Sequence, residues 1–274
     1  MNDAMRLVGG RPIAITEIGS GTPVLFLHGF GVDHRALLWS CGPIFEQRPG
    51  YRRLHVDLPG FGATPPDPAI DSSDAMAAFV LELIDAVIGT EPFLLVGASW
   101  GAYLARAVVA RRREQIRGVM LDIPIGIATH ADRDVPELVT IFHTPDALDG
   151  VGLIDAAEFR EFAVIVDATS WEYWREAIMP GFRVADEAAV ERISAAYPFA
   201  QDVDAIGEPF DRPSLIVMGR QDSVVGYRDQ LRQIERFPRA TFAILDAAGH
   251  NLEGERPELF RSLVTDWLDR VERT

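Results

Sequence analysis

Six short apolar runs set the frame of this chain: VLFL at 24–27, LHV at 54–56, FLLV at 93–96, VML at 119–121, LIVM at 215–218 and TFAIL at 241–245. Most are apolar on both faces of an extended backbone, so a strand made from one must be covered from both sides. Segments of helical spacing lie between and after them, at 74–87, at 102–112 and from Pro257 onward. Pro257 suits a first helical position, and Leu259, Phe260, Leu263, Val264, Trp267, Leu268 and Val271 then fall on one stripe. This alternation predicts an α/β fold, a mostly parallel central sheet flanked by helices. The rhythm fails between 125 and 207, where several short amphipathic helices and no strand are expected. That segment reads as a helical cap inserted between two parts of the core, 1–124 and 208–274.

Gly97-Ala98-Ser99-Trp100-Gly101 follows one apolar run and precedes a helical pattern. A G-x-S-x-G sequence in a strand–turn–helix setting holds a serine at a sharp, strained turn, and the flanking glycines let backbone approach it. A serine hydroxyl is a weak nucleophile at neutral pH and needs a neighbouring base. Of six histidines, His28, His34 and His55 precede the serine, and His130 and His143 fall in the expected cap. His250 directly follows the last apolar run, where a loop reaches the same sheet edge as Ser99. An acid must fix its tautomer. Asp222, just past the run at 215–218, is favoured, and Asp122, just past 119–121, is the competitor. The backbone N–H groups of Trp100 and of Phe30, in the His28-Gly29-Phe30-Gly31 loop, are the expected oxyanion donors. His28 is expected to be structural.

Composition removes other chemistries. All 26 basic residues are arginine, so a Schiff-base lysine, a Ser-Lys dyad, a P-loop lysine and covalent pyridoxal phosphate are excluded. The lone Cys41 excludes an intramolecular disulfide and a cysteine metal cluster, and no cofactor or metal is expected. A net charge of −15 argues against nucleic acid and anionic membrane surfaces as partners. The opening residues lack the apolar core of a signal peptide, so a cytoplasmic location is expected.

These residues resemble the α/β-hydrolase superfamily from the run at 24–27 to the C-terminus. VDLPGFG at 56–62 is similar to a turn common after another core strand of these proteins, and Asp57 is expected to shape it. With the HGFG loop it resembles the branch of bacterial esterases that includes the pimeloyl carrier-protein esterase. The resemblance implies an α/β-hydrolase fold and the chain order Ser99, Asp222, His250. Departures narrow it. Ser99 stands where haloalkane dehalogenases and epoxide hydrolases carry an aspartate before Trp-Gly, which leaves Trp100 as a candidate pocket wall. The HGGPG loop of proline iminopeptidases and the HGxGPG loop of carbon–carbon bond hydrolases are both missing.

The expected cap holds sixteen acidic residues against five arginines, most of the chain's negative charge. Solvated helix faces explain this, and a lid that welcomes cationic substrates is the functional alternative. A few cap aromatics should roof the site, with most packing among themselves. The resulting expectation is a cofactor-free hydrolase whose small-molecule substrate is a medium-sized, neutral, apolar ester or lactone. The alternatives are an aminopeptidase-like amidase with an amine-binding acidic cap, or a non-catalytic ligand-binding member of the fold.

Overall fold

The computed structural model describes residues 2–274, with side chains from Ala4 onward. In chain order its strands are β1 (Asn2–Val8), β2 (Arg11–Gly19), β3 (Thr22–Leu27), β4 (Tyr51–Val56), β5 (Phe93–Ala98), β6 (Ile116–Asp122), β7 (Phe142–His143), β8 (Ile165–Val166), β9 (Ser214–Gly219) and β10 (Ala240–Leu245). The α-helices are α1 (Arg35–Glu46), α2 (Ser73–Val87), α3 (Trp100–Arg112), α4 (Leu153–Arg160), α5 (Ala168–Tyr173), α6 (Met179–Val184), α7 (Glu187–Ala195), α8 (Leu252–Glu255) and α9 (Pro257–Glu272).

Eight strands form one sheet in the order β1-β2-β4-β3-β5-β6-β9-β10. From β4 to β10 the neighbours run parallel, while β1 pairs antiparallel with β2 and β2 with β4. All six residues of β5 and of β9 are buried, as two-faced strands require. Helix α1 packs on α9, and α2 on α3. Ser72 caps α2 by accepting from Ala75 N at 3.1 Å, and Pro257 starts α9. The α/β fold read from the sequence is therefore the fold observed.

Three local features differ from the expectation. The β1–β2 hairpin was not foreseen, because its strands are half exposed and present no long apolar run. Its turn is Gly9-Gly10, with φ of +55° and +83°, and two consecutive positive φ values are what a tight hairpin needs. Helix α1 was also missed: Pro43 lies inside it and interrupts the helical pattern. In the segment 125–207, where no strand is expected, the chain forms the short helices α4 to α7, but β7 and β8 also pair in a parallel ladder of two residues each. A strand that short leaves no periodicity to read.

The parallel arrangement places the ends of β3, β5, β6, β9 and β10 at one edge of the sheet. Phe30, Ser99, Asp122, Asp222 and His250 all follow or end those strands. This common edge is what allows residues as far apart as 30 and 250 to meet.

Candidate active site

Between the end of β5 and the start of α3 only Ser99 makes the turn. Its backbone sits at φ +52°, ψ −115°, a conformation that costs a non-glycine residue on the order of 1–3 kcal/mol. The turn is tight enough to dictate its neighbours. A Cβ on Gly97 would meet the Gly101 carbonyl, and one on Gly101 would meet the Leu27 carbonyl. Ser99 N donates to the Asp122 carbonyl at 2.9 Å, and the Ser99 carbonyl accepts from Tyr103 N at 3.1 Å. The serine is thus anchored to β6 on one side and to its own helix on the other.

His250 bridges the serine to an acid. Its Nε2 lies 3.1 Å from Ser99 Oγ, and its Nδ1 lies 2.9 Å from Asp222 Oδ2. With the proton on Nδ1 donated to Asp222, Nε2 is free to accept from the serine hydroxyl. Asp222 is fully buried, and its other oxygen accepts from Val224 N at 2.8 Å and Val225 N at 2.9 Å. Burial alone would disfavour the charged imidazole. The Asp222 carboxylate and its hydrogen bond outweigh that and hold His250 above the usual histidine value.

Asp122 is also fully buried, yet it makes no hydrogen bond to His250. Its carboxyl faces that of Glu253, and burial together with the Glu253 charge raises Asp122 well above the usual carboxylate range. Burial likewise raises Glu253, so neither acid favours its charged form in this setting. Of the two strand-end candidates, then, only Asp222 is brought to the histidine.

The two loops expected to supply oxyanion donors both border Ser99. A Cβ on Gly29 would lie 3.4 Å from the Ser99 Cβ, so the His28–Gly31 loop runs directly past the serine. Trp100 is the first residue of α3, where a backbone N–H has no acceptor within the helix. His28 braces this loop: Nδ1 donates to the Gly29 carbonyl at 2.7 Å, and Nε2 accepts from Leu58 N at 3.0 Å. Burial pushes the pKa of His28 down, in keeping with a neutral structural role. Asp57 accepts from His34 N at 3.0 Å and Ala63 N at 2.9 Å, shaping the turn as read from the sequence. Trp100 departs from expectation. Its indole is fully buried, donates to Ser73 Oγ at 2.9 Å and stacks edge-on under Phe30, so it does not line the pocket.

Ser99 and His250 open into a chamber of about 530 Å³ walled by Phe30, Ile125, Phe162, Phe182, Tyr197 and Val224 among others. Among the described residues no aspartate or glutamate lines it; Arg133 does, with its guanidinium bonded to the carbonyls of Ile127, Ala128 and Val224. A wider depression of about 710 Å³ lies between residues 60–66 and 184–191, away from the serine, and among the described residues no histidine lines it. Among the described residues, one group has metal-ligand potential: Asp33, His34 and Asp57, whose ligand atoms lie within 4.8 Å of one another. Internal bonds already engage all three, since Arg35 binds Asp33 and His34 Nδ1 lies 2.7 Å from Asp57 Oδ1. They fit a bracing cluster better than a metal centre.

Sequence reasoning missed the residues just past His250. Asn251, Glu253 and Glu255 are all buried. Glu255 accepts from Gly249 N at 2.6 Å and from Val164 N at 2.7 Å, clamping the histidine loop to β8 and the residue before it. Burial, against these bonds, raises its pKa to about 7. Two glutamates next to a candidate base in a loop were the available signal.

Comparison with known proteins bears on family and fold. The sequence model of the Alpha/beta hydrolase family matches residues 24–263. The pimeloyl-[acyl-carrier protein] methyl ester esterase of Aeromonas salmonicida is 26% identical over 263 residues, covering 92% of this chain and 97% of that protein. A stretch of 108 residues is 33% identical to epoxide hydrolase 2 of Siraitia grosvenorii, covering 39% of this chain and 33% of that one. Among solved structures, an alpha/beta superfamily hydrolase from Oenococcus oeni superposes with a TM-score of 0.90 at 29% identity, covering 99% of this chain and all of that one.

Proposed function

The chain belongs to the alpha/beta hydrolase family, and from that premise we propose that it is a serine hydrolase cleaving carboxylic esters or lactones through an acyl-enzyme. One observation carries the reading: the continuous hydrogen-bonded line from Ser99 through His250 to Asp222, with distances of 3.1 and 2.9 Å. The esterase relative supports the ester as substrate class.

In this mechanism Ser99 attacks the ester carbonyl while His250 takes its proton. Asp222 orients the imidazole and stabilises its charged form. The N–H groups of Phe30 and Trp100 hold the oxyanion, a contribution worth about 3–4 kcal/mol per donor in comparable sites. His250 then protonates the leaving alcohol and activates water to release the acid. The reaction needs no metal or cofactor. Helices between β6 and β9 would act as a cap spanning 125–207, between core parts 1–124 and 208–274. Phe162, Phe182 and Tyr197 from that segment wall the chamber, which supports a roofing role. The chamber's mainly apolar side chains favour a neutral, apolar leaving group. An amine-binding amidase would want a carboxylate in that chamber, and Arg133 is there instead.

Labelling with a fluorophosphonate tests the proposal. Wild-type protein should form a stoichiometric adduct, and Ser99→Ala should lose both the adduct and ester turnover, the latter by several orders of magnitude. An adduct that persists on the alanine variant would sink the assignment.

A further inference from the structure

Ser99 and His250 also border a second, smaller cavity of about 60 Å³, on the side of Gly29 and Val32. Much of its wall is apolar, but Tyr173, Trp174, Asn251 and Glu253 contribute polar groups. Asn251, Trp174 and Glu253 are 5%, 2% and 2% exposed. Among the described residues, Asn251 Nδ2, Trp174 Nε1 and Glu253 Oε2 find no hydrogen-bond partner. Buried polar groups are almost always paired, so three such atoms around one cavity beside a nucleophile call for a ligand-based explanation. Maintaining the Asp122–Glu253 carboxyl pair in the interior costs stability and does nothing evident for the fold.

We propose that this cavity is an acyl subsite for short hydroxylated acyl groups, with Asn251 Nδ2 donating to the substrate hydroxyl and Glu253 accepting from it. The inference rests on the serine-esterase reading and names its substrate class. Acyl rather than alcohol belongs here because the alcohol leaves first, and deacylating water must follow while the acyl group stays. An alcohol in the larger chamber departs without passing the acyl group, whereas one in the smaller, narrower cavity would have to leave past it.

The donor and acceptor inventory selects the hydroxyl. An ammonium would satisfy Glu253 but could accept nothing from Asn251, and a carboxylate would accept from Asn251 but be repelled by Glu253. A methyl group would leave both unpaired, and an unpaired buried partner is what allows a site to reject the analogue lacking the group. A hydroxyl serves both at once. Size sets the upper limit. At roughly 10–15 Å³ of such space per water, the cavity takes about four to six water-sized groups, enough for a short hydroxylated acyl group such as glycolyl or lactyl.

Benzyl glycolate, propionate and glycinate test this, since their acyl groups have equal numbers of non-hydrogen atoms and differ only in the terminal hydroxyl, methyl or ammonium. Rates are compared as kcat/KM, each divided by the same ester's hydroxide rate to remove intrinsic reactivity. Glycolate should exceed propionate by about tenfold or more, and glycinate should not exceed glycolate. In Glu253→Gln and, separately, Asn251→Leu, the glycolate-to-propionate ratio should fall to within about threefold. A ratio within one variant cancels any change that the substitution makes to His250. Overturning results are a propionate preference, a glycinate preference, or a ratio that survives in both variants. Any of these in protein that forms the Ser99 phosphonate adduct removes the subsite and leaves the esterase reading standing. Failure to form that adduct removes both.

Discussion

Ser99 is held at a backbone angle that only a crowded turn enforces, and the crowding is written in the sequence as Gly97 and Gly101. That is why the serine is legible in the sequence alone. The acid was less so, because Asp122 and Asp222 both lie just past or at the end of a buried strand at the same sheet edge. What separates them is side-chain direction: Asp222 meets His250 Nδ1, and Asp122 meets Glu253. Asp222→Asn should therefore lower ester turnover by about four orders of magnitude, since an amide favours the wrong imidazole tautomer. Asp122→Asn should cost at least a hundredfold less, because Asp122 makes no hydrogen bond to His250. The larger loss on Asp122 would move the role to that residue. The His250 pKa makes a further prediction at this scale. Activity requires the neutral base, so kcat/KM should fall as pH drops, with a midpoint above the ordinary histidine value of about 6.5. Burial lowers that pKa and the Asp222 charge raises it, so the residual activity of Asp222→Asn should show its midpoint shifted to lower pH. An unshifted midpoint would mean that another group sets the limb.

Long buried strands and amphipathic helices were readable because their periodicity is local, as the close agreement of α2 and α9 with their patterns illustrates. The hairpin β1–β2 carried a readable sign in Gly9-Gly10, but alternation between exposed Met5 and Leu7 and buried Ile13 and Ile15 is weaker than a solid apolar run. The clamp at Glu255 could not be read at all, since its bonds reach back 91 residues to Val164. This clamp couples the histidine loop to β8, and it has a thermodynamic signature. Glu255 has a folded pKa of about 7 against 4.5 for a free glutamate, so the folded state binds the extra proton between those values. Its contribution to stability is complete below about pH 4.5 and is lost as pH rises through about 7. Chemical denaturation at pH 5 and pH 8 should therefore find the wild type less stable at the higher pH. Glu255→Gln should shrink that difference while lowering stability at pH 5, because an amide NH2 cannot accept one of the N–H bonds that the carboxyl oxygens accept. A pH dependence unchanged in the variant would place the titrating group elsewhere.

The molecule as a whole carries −15, concentrated between residues 125 and 207, and sequence alone left open whether that charge touches substrate. In the structure many of these carboxylates face outward. Arg183 pairs with Asp155 and Glu158 at half-exposed positions, and Asp134 pairs with Arg228 in the same way. Among the described residues, the chamber beside Ser99 is lined by no carboxylate and by Arg133. Charge on the outer surface acts through solvent, where its reach is about 8 Å at physiological salt and about 3 Å at 1 M. A carboxylate inside the chamber would act at contact distance, partly desolvated, and would resist salt. Matched esters with a quaternary ammonium or an isosteric neutral tert-butyl group on the alcohol side distinguish these cases. At low ionic strength the cationic ester should gain no more than about threefold in kcat/KM from the surrounding field, and the gain should vanish in 1 M salt. The neutral ester should be nearly indifferent to salt throughout. A cationic preference above about tenfold, roughly 1.4 kcal/mol, that persisted in 1 M salt would require a carboxylate in contact with the leaving group and would return the amine-binding reading to first place.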